Sequence, residues 1–231
     1  MKDLLNITIF ALACLLPAWG ARADEVIYDT SLSYNTNILS VDNGEEIGNE
    51  ITLNAGTWSM TGFQVEYYST NLLQSPQAGV DLRFYLNNAP AVNGIAPPGT
   101  LFYDSGWYYG LPAGSQGDTI AYEMSDLYQN ALLNLPSGFI LPDTFTFTLT
   151  FTNLNAADML FLPLANSPTN QLAMSSGDYW VNSDGQWTLL TNSVPANFVV
   201  QATGVPEPAI AGLGILGGLL LAGAARRGWW R

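Results

Sequence analysis

The chain has no histidine, a single cysteine and only six lysines and arginines among its 231 residues. Without histidine there is no imidazole general base, no Ser-His-Asp triad and no His-ligated zinc. The cysteine, Cys14, lies in an N-terminal apolar run. Removal of that run leaves no disulfide, no thiolate nucleophile and no Cys-ligated metal. The single lysine, Lys2, is also terminal, so a serine nucleophile in the body of the chain has no lysine base. A net charge of −13 argues against nucleic acid as a partner, because phosphate binding needs clustered Lys and Arg.

The scarce cations are unevenly placed. Lys2, Arg22, Arg226, Arg227 and Arg231 lie at the two ends. Residues 24–205 hold 17 of the 19 acids and one basic residue, Arg83, a formal charge of −16. Charged residues make up 11% of the chain and hydrophobic ones 48%, which is the composition of a folded domain and not of a disordered one. A body of this length can bury a core large enough to hold without disulfides.

The first 23 residues read as a secretory signal peptide. Lys2 is the positive n-region, Leu4–Trp19 is mostly apolar, and Ala21-Arg22-Ala23 fits the small-x-small cleavage pattern, with Asp24 as the new first residue. A retained anchor is the alternative, but the run is short for a span. Ala11-Leu12-Ala13-Cys14 is a poor lipobox, since Ala11 stands at the usual leucine position.

At the other end, Val205-Pro206-Glu207-Pro208 precedes an uncharged stretch, 209–225, and then Arg226 and Arg227. At about 1.5 Å per residue, 17 helical residues cover roughly 26 Å, the lower bound of a membrane span. The arginines would hold the C-terminus in the cytoplasm, with Trp229 and Trp230 at the interface. Pro206-Glu207-Pro208, the Gly-rich apolar segment and the basic tail 226–231 together resemble the PEP-CTERM sorting signal of Gram-negative bacteria. The resemblance covers 205–231. It implies recognition by an exosortase, a membrane-embedded cysteine protease, and processing near Pro-Glu-Pro. It also implies transit through the inner membrane to the cell surface, outer membrane or extracellular matrix, often alongside exopolysaccharide. An ordinary single-pass anchor is the alternative.

Between the ends, no linker, charge block or repeat divides 24–204, which reads as one domain. Thr144–Thr152 alternates Thr with Phe or Leu, the period of a half-buried strand. Val80, Leu82, Phe84 and Leu86 alternate with Asp81, Arg83, Tyr85 and Asn87, and Phe63, Val65 and Tyr67 with Gln64 and Glu66. Asp184-Gly185 between 179–183 and 186–190 reads as a type I′ hairpin. A last strand spans 198–202, and weaker ones lie near 26–28, 50–53, 101–103, 120–124 and 159–162. Ser125–Leu133 is ambiguous and would allow a helical turn or two. The expected fold is all-β, an antiparallel, jelly-roll-like β-sandwich between a signal peptide and one short C-terminal transmembrane helix.

Glu46–Leu53, Val80–Asn87, Pro98–Gly106 and Val194–Phe198 look like the choice-of-anchor β-sandwich ectodomains that often precede PEP-CTERM tails. That resemblance implies an exported surface protein and carries no catalytic residue with it.

Three constellations bear on chemistry. Asp104, Trp107, Tyr108 and Tyr109 put rings beside a carboxylate, as sugar-binding surfaces do; alternatively the rings cap the core. Asp42, Asn43 and Glu45 surround Gly44 with oxygen donors that suit Ca²⁺, though not at EF-hand spacing; the alternative is a solvated acidic turn. No other cofactor is expected. Finally, glycosidase chemistry needs only two carboxylates ~5–9.5 Å apart, but no motif singles out a pair. The expected function is a non-enzymatic surface or matrix protein, cut by signal peptidase at Ala21–Ala23 and processed at the tail by exosortase. A carbohydrate-binding module is the first alternative, and a carboxylate-based glycan-active enzyme the second.

Overall fold

The structure, a computed structural model, describes residues 25–54, 58–69, 78–91, 94–111, 119–123, 141–155, 160–169, 172–191 and 195–206. Among these residues the chain forms strands and no helix. In chain order they are β1 (Glu25–Asp29), β2 (Tyr34–Ser40), β3 (Glu46–Leu53), β4 (Trp58–Ser69), β5 (Gly79–Leu86), β6 (Leu101–Asp104), β7 (Tyr108–Tyr109) and β8 (Thr119–Glu123). They continue with β9 (Thr144–Thr152), β10 (Leu160–Ala165), β11 (Ala173–Met174), β12 (Tyr179–Ser183), β13 (Gln186–Leu190), β14 (Asn197–Phe198) and β15 (Val200–Pro206).

Two antiparallel sheets form a β-sandwich. One runs β1-β15-β4-β10-β14, with β2 on β10 and β8 on β4; the other runs β13-β12-β3-β9-β5-β6, with β11 on β3 and β7 on β5. β9 lies at the centre of the second sheet, and its Phe145, Phe147, Leu149 and Phe151 point inward with no exposure. From the opposite sheet Phe63 meets Phe147 (ring centroids 5.0 Å apart) and Phe84 (5.3 Å), and Tyr67 meets Phe151 (6.3 Å). Each such ring contributes on the order of 1.5–3 kcal/mol by leaving water. This inter-layer contact is what the Thr-Phe alternation encodes.

The outer, threonine face of β9 departs from expectation. Thr146 and Thr148 have no exposure and Thr150 is buried, so the strand is covered on both faces. Threonine is short, and longer side chains from β3, β5 and β12 lean over it.

Two bulges explain where alternation broke. Between β4 and β15 the register steps from Thr203↔Gly62 to Gly204↔Met60, leaving Thr61 as the extra residue. The buried set therefore shifts phase, from Trp58 and Met60 to Phe63, Val65 and Tyr67. β1 skips Ile27 in the same way, so that Ile27 and Tyr28 are both buried. The Asp184-Gly185 hairpin is as the sequence indicates, with φ of 54° and 81° at the two turn residues and Ser183 paired with Gln186. Ser125–Leu133 lies outside the described residues.

One inward polar residue ties strand to loop. Asn49, on β3 and fully buried, donates Nδ2–H to the carbonyls of Asp178 (2.9 Å) and Ala196 (3.0 Å). Its Oδ1 accepts the Phe198 N–H at 2.6 Å.

Candidate functional site

The outer face of the second sheet gathers charge around Arg83. β9 pairs Thr150 with Glu46 on one side and Asp81 on the other, and Thr148 with Gly48 and Arg83. Across these short threonines the guanidinium meets three carboxylates. Nη2 lies 2.7 Å from Asp81 Oδ2, Nε 3.0 Å from Asp104 Oδ2, and Nη1 3.8 Å from Glu46 Oε2. Glu46 also accepts hydrogen bonds from the Thr148 hydroxyl (2.7 Å), the Tyr85 hydroxyl (2.9 Å) and Asn182 Nδ2 (3.0 Å). Trp187 packs edge-on against Tyr85, with centroids 5.5 Å apart.

The electrostatics follow from burial. Asp81 is 1% exposed. Burial pushes its carboxyl up, Arg83 pulls it back and Asp104 adds to the rise; the outcome is about 6. Asp104 is more open. Partial burial works against its ionisation, but the Gly106 N–H and Arg83 hold it below its usual value. Burial and then the Glu46 carboxylate raise the Tyr85 phenol, so it stays a donor. Glu50 stands apart: burial raises it, while Asn87 donates to it and in turn accepts from the Thr146 hydroxyl.

The aromatic segment flanks this cluster. β6 and β7 both pair with the same edge of β5, Asp104 opposite Arg83 and Tyr109 opposite Gly79. Between them the chain bends at Gly106 (φ +67°), whose N–H caps Asp104 Oδ1 at 2.7 Å. The Ser105 hydroxyl lies 3.2 Å from Asp81 Oδ1 and accepts the Leu82 N–H at 2.9 Å. Alternation then splits the rings. Tyr108 packs against the core, whereas Trp107 (41% exposed) and Tyr109 (52%) face solvent and stack on each other, 6.3 Å apart at 26°. A Cβ at Gly79 would lie 2.8 Å from Tyr109 Cδ1, so the missing side chain makes the seat for that ring. Tyr108 thus packs on the core, while Trp107 and Tyr109 are exposed on the sheet's outer face.

The acidic turn is a separate place. Gly44 (φ +84°) donates to the Phe151 carbonyl at 2.7 Å, and Glu45 N–H to the Asp42 carbonyl at 3.2 Å. Asn43 Oδ1 accepts the Leu154 N–H at 3.0 Å, which engages one of its two acceptor sites. Burial, then Asp42, raises the Glu45 carboxyl. Among the described residues no group of three or more acids, cysteines or histidines is placed to hold a metal ion.

Of the residues expected to carry sorting, Val205 and Pro206 are the last two of β15, paired with Ser59 and Trp58. Glu207, Pro208, Arg226, Arg227, Ala21 and Ala23 lie outside the described residues, as do the segments 1–23 and 209–225. Glu25 pairs with Gly204, so the chain enters β1 and leaves β15 at one corner of the sandwich.

Sequence reasoning passed over Glu46, Asp81, Tyr85 and Asn182 as a group. The available signal was Arg83, the one cation among 17 acids, two residues from Asp81 on a single strand face. Comparison with protein-family models and with curated proteins found no match.

Proposed function

We propose that the chain is an exported, non-enzymatic surface or matrix protein of a Gram-negative bacterium, held in transit at the inner membrane by a short C-terminal helix and processed there through a PEP-CTERM tail. In this reading signal peptidase acts at Ala21–Ala23, exosortase acts near Pro206-Glu207-Pro208, and a jelly-roll-like sandwich is delivered to the neighbourhood of extracellular polysaccharide. The observation that supports it is the three-part end of the chain, Pro206-Glu207-Pro208, the uncharged stretch 209–225 and Arg226-Arg227. The Glu25↔Gly204 pair brings the chain into and out of the sandwich at one corner. Glu46 and Asp81 are buried and committed to Arg83 and its neighbours.

The test is the intact mass of the protein from its native host, fractionated into inner membrane, outer membrane and medium. A mass lacking 1–23 and most of 209–231, found outside the inner membrane, is expected. An uncut tail confined to the inner membrane would replace this reading with a single-pass anchored protein.

A further inference from the structure

We infer that the stacked Trp107–Tyr109 pair, with the Arg83–Asp104 ion pair beside it, is a binding platform for an uncharged polysaccharide. The inference deepens the surface-protein reading by naming a ligand class. Its test is independent of sorting, because purified protein either binds a glycan or does not.

Four observations carry it. The two rings are exposed, adjacent and within 26° of parallel, a stacked aromatic pair whose solvent-facing surface is apolar and of the kind that meets the C–H face of a pyranose. They are held in place before any ligand arrives. Tyr109 lies on the Gly79 backbone, where any Cβ would collide with it. Tyr108 between them is anchored in the core, and positive φ at Gly106 and Gly110 sets the chain direction on either side. A preorganised surface spends little ordering entropy on binding.

Polar groups line up along the same edge. On β5, Gly79, Asp81 and Arg83 share the outer face, so the Arg83–Asp104 pair sits about 13 Å from the ring seat at ~3.3 Å per residue. Arg83 and Asp104 keep 28% and 40% of their side chains exposed. Each has hydrogen-bonding capacity left to offer a hydroxyl: Arg as donor, Asp as acceptor. Rings at one end and an exposed donor–acceptor pair at the other suit a polymer of hydroxylated rings, not a single small molecule.

Charge then selects among glycans. The body of the chain carries −16, and its one arginine already faces three carboxylates. Uronate or sulfate polymers would meet repulsion with no free cation in 24–205 to offset it. An uncharged polymer avoids that cost.

The experiment is affinity electrophoresis of the purified full-length chain through gels holding hydroxyethylcellulose, galactomannan or dextran, with polygalacturonate as the acidic arm. At least one neutral polymer should retard the protein and polygalacturonate should not. Trp107→Ala and Tyr109→Ala should each weaken retardation about tenfold, near the 1.4 kcal/mol scale of one ring contact. Tyr109→Phe should keep it, since the phenol is not the contacting group. Unchanged melting temperatures in the variants establish that the fold is intact. The inference is overturned by any of three results: no neutral polymer retained, retention equal in the Trp107→Ala/Tyr109→Ala double variant, or retardation by polygalacturonate alone. A change of oligomeric state in the double variant, with no glycan bound by either form, would make the platform a self-association surface instead.

Discussion

Arg83 and Asp81 stand two residues apart on one face of β5, and the guanidinium Nη2 lies 2.7 Å from Asp81 Oδ2 while the carboxylate is almost wholly removed from water. An ion pair of this kind is costly to break from one side. Removing the cation leaves Asp81 buried without compensation and Glu46 short of a partner. Arg83→Leu is therefore expected to lose about 3 kcal/mol of unfolding free energy at pH 8. The loss should be smaller at pH 5, where Asp81 can neutralise itself by taking a proton. Chemical denaturation at the two pH values checks this. A loss under about 1 kcal/mol at pH 8 would mean the cluster is no more than a surface ornament of the sheet.

The same carboxyl sets a pH dependence. Asp81 binds its proton more tightly folded, at about 6, than at its ordinary value of 3.8. The folded chain thus holds the extra proton between these values. Its contribution to stability is fully present below about 4 and is lost as the pH rises through about 6. Asp104 has the opposite sign: its stabilisation is present above the ordinary carboxylate value and fades in acid. The groups facing Asp81 are Arg83, Asp104 and the Ser105 hydroxyl, with Glu46 and Tyr103 close by. Asp81→Asn removes the Asp81 component and with it the part of the Asp104 lowering that comes from Asp81. Between pH 4 and 7 the wild-type chain should lose stability relative to Asp81→Asn. A constant difference across that range would refute the assignment.

Most of the sandwich was legible in the sequence because its signal is local. Period-2 alternation in 144–152 and 80–86 marks strands whose inner face is apolar, and Asp-Gly fixes a turn by backbone conformation alone. β2 (YNTNILS) was not legible. Among the described residues it pairs with β10, Ile38 on it is 48% exposed and Leu39 is partly buried against the core, so no continuous alternation marks it. The full length of β4 was hidden by the extra residue at Thr61, which inverts the phase. The Arg83 cluster was hidden for another reason: Glu46, Asp81, Asp104 and Asn182 come from four strands, brought together by the registers of β3 with β12, of β3 and β5 across β9, and of β5 with β6. The exposed rings were legible as a group but not as a split pair, since which ring faces solvent depends on the pairing of Tyr108 with Val80.

Gly48 offers a test of close packing. Glycine inside a strand ordinarily costs about 0.5–1 kcal/mol relative to alanine, so alanine should help. Here a Cβ would come within 2.1 Å of the Phe147 carbonyl oxygen and 2.7 Å of Thr148 Cγ2. The first of these is backbone of the central strand and cannot step aside. Gly48→Ala should therefore destabilise by about 1–3 kcal/mol, the usual cost of overpacking. A neutral or stabilising result in a thermal melt would show that β3 and β9 can move apart at this register.

Pro206 places a bound on the proposed tail processing. It is the last residue of β15, opposite Trp58, and Val205 lies opposite Ser59. A few residues earlier the strand is flanked on both sides, with Gly204 between Glu25 of β1 and Met60 of β4. Gly204 also lies so close to the Ser59 carbonyl that a Cβ would sit 2.8 Å from it. A protease must hold its substrate extended and unpaired, so a cut within 200–205 requires peeling an interior strand from the sheet. That opening costs much of the stability of the layer. Peptide mass mapping of processed protein should find a C-terminus at Pro206 or later, with Val205 and Pro206 retained. A terminus between 200 and 204 would mean that processing precedes folding, with the edge formed by β1 left to pair anew.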